Sequence, residues 1–254
     1  MQMDWYTKRK VLLATVFVLI LIVSTVYLFR GKIFPSPTCN DGKKNGIEVG
    51  VDCGGSCLLV CVSEYKPLTV SLAKAIKTGE RKYDILILID NANQNTSPKM
   101  LSVVVELYDN TGKNFKTMRS TSPAFSGSEI PVFTQGFEAD NISNVIARVE
   151  PYEMYRSNGG YTMKLKSFTY NKTNNSTDID IFYTSPYRDS IKDTFISMVV
   201  AYNSLGNVVG FAQAEIKGLS ADKPGELFIS LPYRTEGEIA KIEFVPLNMF
   251  YAKE

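Results

Sequence analysis

The sequence predicts an all-β protein of two tandem immunoglobulin-like β-sandwiches, preceded by an N-terminal transmembrane helix and a small disulfide-rich module. Three observations carry this prediction. An apolar run stands near the N-terminus, all four cysteines lie in a glycine-rich stretch soon after it, and the rest alternates short apolar runs with turn residues. Apolar residues make up 44% and charged residues 21%, which is typical of a chain that folds around a core.

The N-terminal apolar run extends from Val11 to Phe29 without a charged residue. As a helix it is about 28 Å long, close to the hydrocarbon thickness of a bilayer. A cleaved secretory signal is the alternative, but the run exceeds a usual signal core and no small-x-small site follows it. We therefore predict an uncleaved single span. The predicted organisation is a cytoplasmic tail at 1–10, the span at 11–29, a cysteine-rich neck at 30–65, and β-sandwich domains at 66–153 and 160–254.

The four cysteines have the spacing C-x13-C-x3-C-x3-C, at Cys39, Cys53, Cys57 and Cys61. In an oxidising compartment this pattern indicates a disulfide-stapled segment with three possible pairings. In the cytosol four clustered thiolates would indicate a structural zinc site. Zinc sites usually present two short knuckles, whereas Cys39 stands alone. The spacing therefore favours disulfides.

Oxygen-bearing side chains stand between these cysteines at short intervals, namely Asp41, Asn45, Glu48 and Asp52. Such residues are typical calcium ligands, and the intervening glycines allow tight turns. The spacing does not match the EF-hand loop. Calcium is thus the one candidate cofactor, and the alternative is that these are solvated turn residues.

The string DG-x-x-NG-x-E-x-G-x-DCGG-x-C, within residues 39–61, resembles a cysteine motif of predicted bacterial surface proteins. The resemblance implies an extracellular module. The charges on the two sides of the span are nearly balanced, with Lys8, Arg9 and Lys10 before it and four basic residues soon after. We therefore take the orientation from the resemblance: a single-pass plasma-membrane protein with a cytoplasmic N-terminus and its bulk outside the cytoplasm.

The chain after Tyr65 contains an internal duplication. YDILILID from Tyr83 matches TDIDIFYT from Thr177, and VVELYDNTGK from Val104 matches MVVAYNSLGN from Met198, each 94 residues further on. A constant offset indicates two copies of one fold. Alternating strands and turns predict a β-sandwich in each copy. The large side chains that we expect in the cores are Phe133, Phe137, Phe195 and Phe228.

The stretch Val105-Glu106-Leu107-Tyr108-Asp109 resembles the signature of the FxLYD family, with valine at the phenylalanine position. The likeness covers about residues 66–151, and a degraded echo that keeps Tyr202 extends to 254. It implies an extracytoplasmic β-sandwich domain of prokaryotes. The family transfers no catalytic residues to this chain.

Catalytic patterns are missing from the sequence. There is no histidine, the commonest general base, and no G-x-S-x-G, S-x-x-K or phosphate-binding glycine loop is present. The carboxylates of Asp178 and Asp180 share a strand face, which favours a charged outer face over a catalytic pair. We predict a protein that is not an enzyme, and a histidine-free envelope hydrolase is the remote alternative.

A binding or structural role at the cell envelope is the predicted function. A net charge of +2 gives no general attraction for nucleic acid. The expected partners are the membrane and a protein or glycan, and a calcium-dependent surface adhesion or neck module is an alternative. The candidate binding patch consists of Tyr183, Tyr187, Arg188 and Tyr202, with burial in a sandwich core as the competing interpretation of the tyrosines.

Overall fold

A computed structural model describes residues 5–33, 39–157, 163–186, 191–220 and 223–250. Gly159 and Gly160, at the boundary between the two predicted domains, lie outside these ranges. Helix α1 (Trp5–Ile33) is followed by a single 3-10 turn (Val62–Glu64) and then by strands. Helix α1 is longer at both ends than the predicted span. By its contacts the chain divides into two units, Met1–Cys61 and Val62–Glu254.

Fourteen strands are found in the described part of the second unit, and all of the pairings are antiparallel. The first seven are β1 (Thr69–Lys77), β2 (Lys82–Asp90), β3 (Thr96–Ser97), β4 (Met100–Tyr108), β5 (Asn114–Pro123), β6 (Glu129–Glu138) and β7 (Asn144–Val149). The others are β8 (Tyr155–Arg156), β9 (Lys164–Lys172), β10 (Thr177–Thr184), β11 (Ile191–Tyr202), β12 (Val208–Leu219), β13 (Gly225–Leu231) and β14 (Lys241–Phe250). The all-β prediction is confirmed at this level.

The two repeats have the same strand order. In the first repeat the sheets are β1-β2-β6 and β5-β4-β7, and in the second they are β9-β10-β13 and β12-β11-β14. Each strand of the first repeat thus has its counterpart at the same place in the second. Among the strands that the structure describes, only the short pair β3-β8 lies outside this correspondence. The shared topology agrees with the duplication that the 94-residue offset indicates.

The hairpin turns are also repeated. Gly112 has a φ of +80° and donates its backbone N–H to the carbonyl of Asp109, while Gly206 has a φ of +76° and donates to Asn203. In both turns the side chain of the first residue accepts a backbone N–H two residues further on. A positive φ costs glycine little, and an Asp or Asn side chain stabilises such turns. The same turn therefore forms in both repeats from residue types that favour it.

The repeats share a hydrophobic core. One cluster of buried residues contains Leu86 and Leu88 from β2 of the first repeat together with Met198 and Val200 from β11 of the second. We therefore call β1-β2-β6 and β12-β11-β14 the inner sheets, and β5-β4-β7 and β9-β10-β13 the outer sheets. The remaining members of the cluster are Val208, Phe211, Val245 and Leu247.

Strand β2 accordingly has two buried faces, with every residue from Tyr83 to Ile89 buried. Its counterpart β10 alternates between buried and half-buried residues. A strand that is covered on both sides reads as a continuous apolar run, whereas one with a solvated face alternates. The difference between DILILI and DIDIFY is the sequence signal of this packing.

Candidate functional site

The cysteine module, residues 39–61, is closed by two disulfides, Cys39–Cys57 and Cys53–Cys61. Cys57 and Cys61 are buried. The pairing is interlaced along the chain, because Cys53 lies inside the loop that Cys39 and Cys57 close while Cys61 lies beyond it. The cysteines thus provide the interior of a segment that is too short to build a hydrophobic core.

The glycines of the module make room for this packing. A Cβ on Gly50 would stand 2.8 Å from Sγ of Cys53, and a Cβ on Gly55 would stand 2.0 Å from the carbonyl oxygen of Ile47. Both distances are well below van der Waals contact. Any larger residue at either position requires the backbone or a disulfide to move.

The acidic side chains of the module accept hydrogen bonds from its own backbone and side chains. Both carboxylate oxygens of Asp52 accept backbone N–H groups, from Asp41 at 2.9 Å and from Gly42 at 2.8 Å. Asp41 accepts the backbone N–H of Lys43 at 2.9 Å and the side-chain amide of Asn45 at 2.7 Å. A calcium ion would compete with these bonds for the same oxygens. The calcium hypothesis stays a prediction.

Glu48 is the one buried carboxylate of the module, with 6% of its surface exposed. One oxygen accepts the backbone N–H of Asn45 at 3.1 Å, and the other lies 3.5 Å from Sγ of Cys57. The ligand atoms of Cys39, Glu48 and Cys57 lie within 4.8 Å of one another. The two sulfurs are joined in a disulfide, so this oxidised form offers no pair of thiolates to a metal ion.

Helix α1 contains a candidate membrane span from Arg9 to Arg30, with a mean hydropathy of 2.8 and none of the span buried. At 1.5 Å per residue the span is about 33 Å long, enough to cross the hydrocarbon core. The guanidinium of Arg9 stacks 4.2 Å from the ring centroid of Trp5, and that of Arg30 lies 5.5 Å from the ring centroid of Tyr27. Aromatic and basic residues therefore bracket the apolar segment, as at membrane interfaces.

Of the four residues in the predicted binding patch, the structure describes Tyr183 and Tyr202. Tyr183 is buried in the core of the second repeat, with its ring centroid 6.1 Å from that of Phe244. Tyr202 is half-buried beside the core that the repeats share, and burial raises the pKa of its hydroxyl, aided by a hydrogen bond to Glu243. Tyr187 and Arg188 lie outside the described residues. The alternative interpretation, burial of the tyrosines in a sandwich core, therefore fits Tyr183.

Asp178 and Asp180 lie on the solvent side of β10, where Asp178 accepts a hydrogen bond from the hydroxyl of Ser230. The same face carries Phe228, which is 62% exposed. The prediction that Phe228 belongs to the core is therefore wrong. Ile229 points inward on β13, so its neighbour must point outward.

A cleft of about 820 Å³ lies between the repeats and was not predicted from the sequence. Its charged lining comes from Glu129, Lys164, Lys241 and Glu243. Burial raises the pKa of Glu129 most, and the charges of Glu243 and Asp90 raise it further. The cleft joins residues more than a hundred positions apart along the chain. No local pattern could have revealed it, because it depends on how the repeats pack.

No protein-family model matches this chain, and a search of the curated proteins finds no significant match.

Proposed function

We propose that this chain is a single-pass plasma-membrane protein of the prokaryotic cell envelope, with a cytoplasmic N-terminus and its cysteine module and repeats outside the cytoplasm. Its role there is to bind a protein or glycan or to form part of an envelope structure, without catalysis. The resemblance of the first repeat to FxLYD domains and of the module to bacterial surface motifs supports this role.

The observation that carries the proposal is the close succession of an unburied apolar helix and an oxidised cysteine module. Helix α1 ends at Ile33 and the first half-cystine is Cys39. Disulfides persist outside the cytosol and are reduced inside it. A stable pair of disulfides just after the span therefore favours the outer side of the membrane for everything that follows.

A binding role is supported by the cleft between the repeats. Its carboxylates and lysines, together with Gln94, Ser126 and Ser128, offer both hydrogen-bond donors and acceptors. A few polar groups converging on a cleft are typical of ligand sites. The absence of histidine from the sequence favours binding over acid–base catalysis.

Topology is tested by labelling whole cells with a membrane-impermeant maleimide before and after reduction. A Gln2→Cys variant supplies a matched reporter on the N-terminal side. We expect the peptide with residues 39–61 to be labelled in intact cells only after reduction, and residue 2 to be labelled only after lysis. Labelling of residue 2 in intact cells, with module thiols reached only after lysis, would invert the topology.

The binding role is tested by photo-crosslinking in cells. A crosslinking amino acid at Ser128, in the cleft, is compared with one at Leu205, a turn residue that is 82% exposed. We expect a discrete crosslinked product at position 128 that is absent at position 205. Identical patterns at both positions would count against a partner in the cleft.

A further inference from the structure

We propose that the cysteine module lies on the bilayer surface, with Ile47, Val51 and Leu58 inserted at the level of the lipid headgroups. The proposal rests on the membrane anchor of the proposed function and adds a second contact with the same membrane. The anchor alone leaves the module free to stand away from the bilayer.

The first step is where the module keeps its apolar side chains. Leu58 is 70% exposed, Ile47 is 67% exposed and Val51 is 55% exposed, while Val49 is 45% exposed. The interior contains Val60, which is 7% exposed, together with the sulfur atoms of Cys57, which is fully buried, and Cys61, which is 7% exposed. Most aliphatic side chains of the module therefore lie at its surface.

The same residue types behave differently in the strands. Leu86, Ile87 and Leu88 are at most 2% exposed. Hiding apolar surface from water is favourable by roughly 25 cal/mol per Å². The module is short and exposes four branched aliphatic side chains. Placing them against an apolar partner would therefore be favourable.

The second step identifies that partner from the length of chain between helix α1 and the module. Cys39 follows the end of α1 by six residues, which extend at most about 22 Å. The module is therefore held beside the membrane whatever its orientation. A tether this short gives the bilayer a high effective concentration, so even a weak apolar contact is populated.

The third step is charge. Lys43 and Lys44 are exposed on the module together with Asp41, whereas Glu48 is buried and Asp52 accepts two backbone N–H groups. Two lysines against three carboxylates leave residues 39–61 with a formal charge of −1, so the contact with the bilayer is made by the apolar side chains and not by charge. Exposed lysines beside exposed aliphatic residues are typical of segments that lie in a membrane interface.

The test uses tryptophan fluorescence of the full chain in phosphatidylcholine–phosphatidylglycerol vesicles with and without brominated acyl chains. Trp5, the only tryptophan, is replaced by Phe, and one tryptophan is placed by Leu58→Trp, Ile20→Trp or Leu205→Trp. Bromine quenches only what it contacts. We expect about a twofold loss for the Leu58→Trp variant, as for an interfacial residue, and none for Leu205→Trp.

A tryptophan prefers interfaces by itself, so a second variant separates probe from protein. Adding Ile47→Asp and Val51→Asp to the Leu58→Trp chain leaves every cysteine in place, which mass spectrometry verifies. We expect these changes to abolish the quenching, because the other inserted side chains are lost.

Quenching of Ile20→Trp without quenching of Leu58→Trp would overturn the proposed contact of the module with the bilayer and leave the membrane anchor intact. Loss of both signals would overturn the anchor. A blue-shifted but unquenched Leu58→Trp emission would show that protein, and not lipid, covers the module, which also overturns the proposal. Quenching that survives Ile47→Asp and Val51→Asp would assign the contact to the probe.

Discussion

The two repeats have one strand order but opposite apolar faces. The first repeat is apolar on the free side of β2, at Leu86 and Leu88, where the second has Asp180 and Phe182. The second repeat is apolar on the free side of β11, at Met198 and Val200. There the first repeat has Val104 and Glu106, and Glu106 forms an ion pair with Arg148.

The difference determines what a further copy of the fold would meet at either outer sheet. The contact between the repeats joins two different sheets, β1-β2-β6 and β12-β11-β14. A contact between different surfaces can in principle be repeated from one chain to the next. At each outer sheet one of the two equivalent positions carries a charge, Asp180 in the second repeat and Glu106 in the first. A polar outer face is how terminal repeats of repeat proteins remain soluble. Duplication therefore supplied two equal folds, and divergence at a few positions made one inner and one outer face on each.

The largest effect is expected from exchanging the residues at one equivalent position. Leu86→Asp places an unpaired carboxylate in the shared core and should lower the free energy of unfolding by about 4 kcal/mol or more. The matched Asp180→Leu change lies on the solvent side and should alter it by less than about 0.5 kcal/mol. Urea unfolding of the detergent-solubilised chain, followed by circular dichroism, measures both. Equal effects would contradict the assignment of inner and outer faces.

A second pair of equivalent residues sharpens the comparison. Phe133 and Phe228 pair with Leu86 and Asp180 in their sheets, but Phe133 packs edge-on to Phe211 at 6.2 Å while Phe228 is exposed. We expect Phe133→Ala to cost about 2–3 kcal/mol and Phe228→Ala less than about 0.5 kcal/mol. Thermal unfolding of the two variants side by side gives the answer, and a costly Phe228→Ala would mean that its face is covered.

A smaller effect is expected on how the free energy of unfolding changes with pH, because of Glu129 in the cleft between the repeats. Because burial raises the pKa of Glu129, the folded state keeps its proton to a higher pH than the unfolded state does. Its contribution to stability is fully present below the ordinary glutamate pKa of about 4.3 and is lost as pH rises through the raised value. Glu129→Gln should therefore gain stability relative to the wild type over that interval.

The check is the difference in unfolding free energy between the Glu129→Gln variant and the wild type as a function of pH. Ser71 donates a hydrogen bond to Glu129 that lowers its pKa, so Ser71→Ala should extend the interval upward. Burial also raises the pKa of Asp84. The free energy of unfolding of both variants should therefore still fall with rising pH because of Asp84. A difference that does not vary with pH would refute the role of Glu129.

The smallest effect is expected on the first outer sheet. The ion pair of Arg148 with Glu106 is largely solvent-exposed on the arginine side, and Tyr108 also donates to Glu106 at 2.9 Å. Exposed ion pairs contribute about 0.2–1 kcal/mol. A double-mutant cycle of Arg148→Ala and Glu106→Ala should give a coupling in that range that shrinks at high salt. A coupling of several kcal/mol would mean that this face is buried against a partner.

Much of the architecture could be predicted because its signals are local. The hairpin turns at Asp109 and Asn203 follow from residue types that favour them, and the apolar helix follows from composition alone. The burial of Tyr183 and the exposure of Phe228 could not be predicted with the same certainty. Side-chain direction in a strand changes with a shift of one residue, and only the pairing of β10 with β13 fixes the register.

The sequence by itself determined the order of parts: an apolar helix, a cysteine module, and two related sets of β-strands. These follow from length, spacing and periodicity, which act over a few residues. The tertiary structure alone decided which cysteines pair, that Leu86 and Val200 share a core, and that Glu129 faces Glu243 across a cleft. The last two contacts join residues far apart in the chain, and their free energy comes from surface that is hidden only when the repeats pack together.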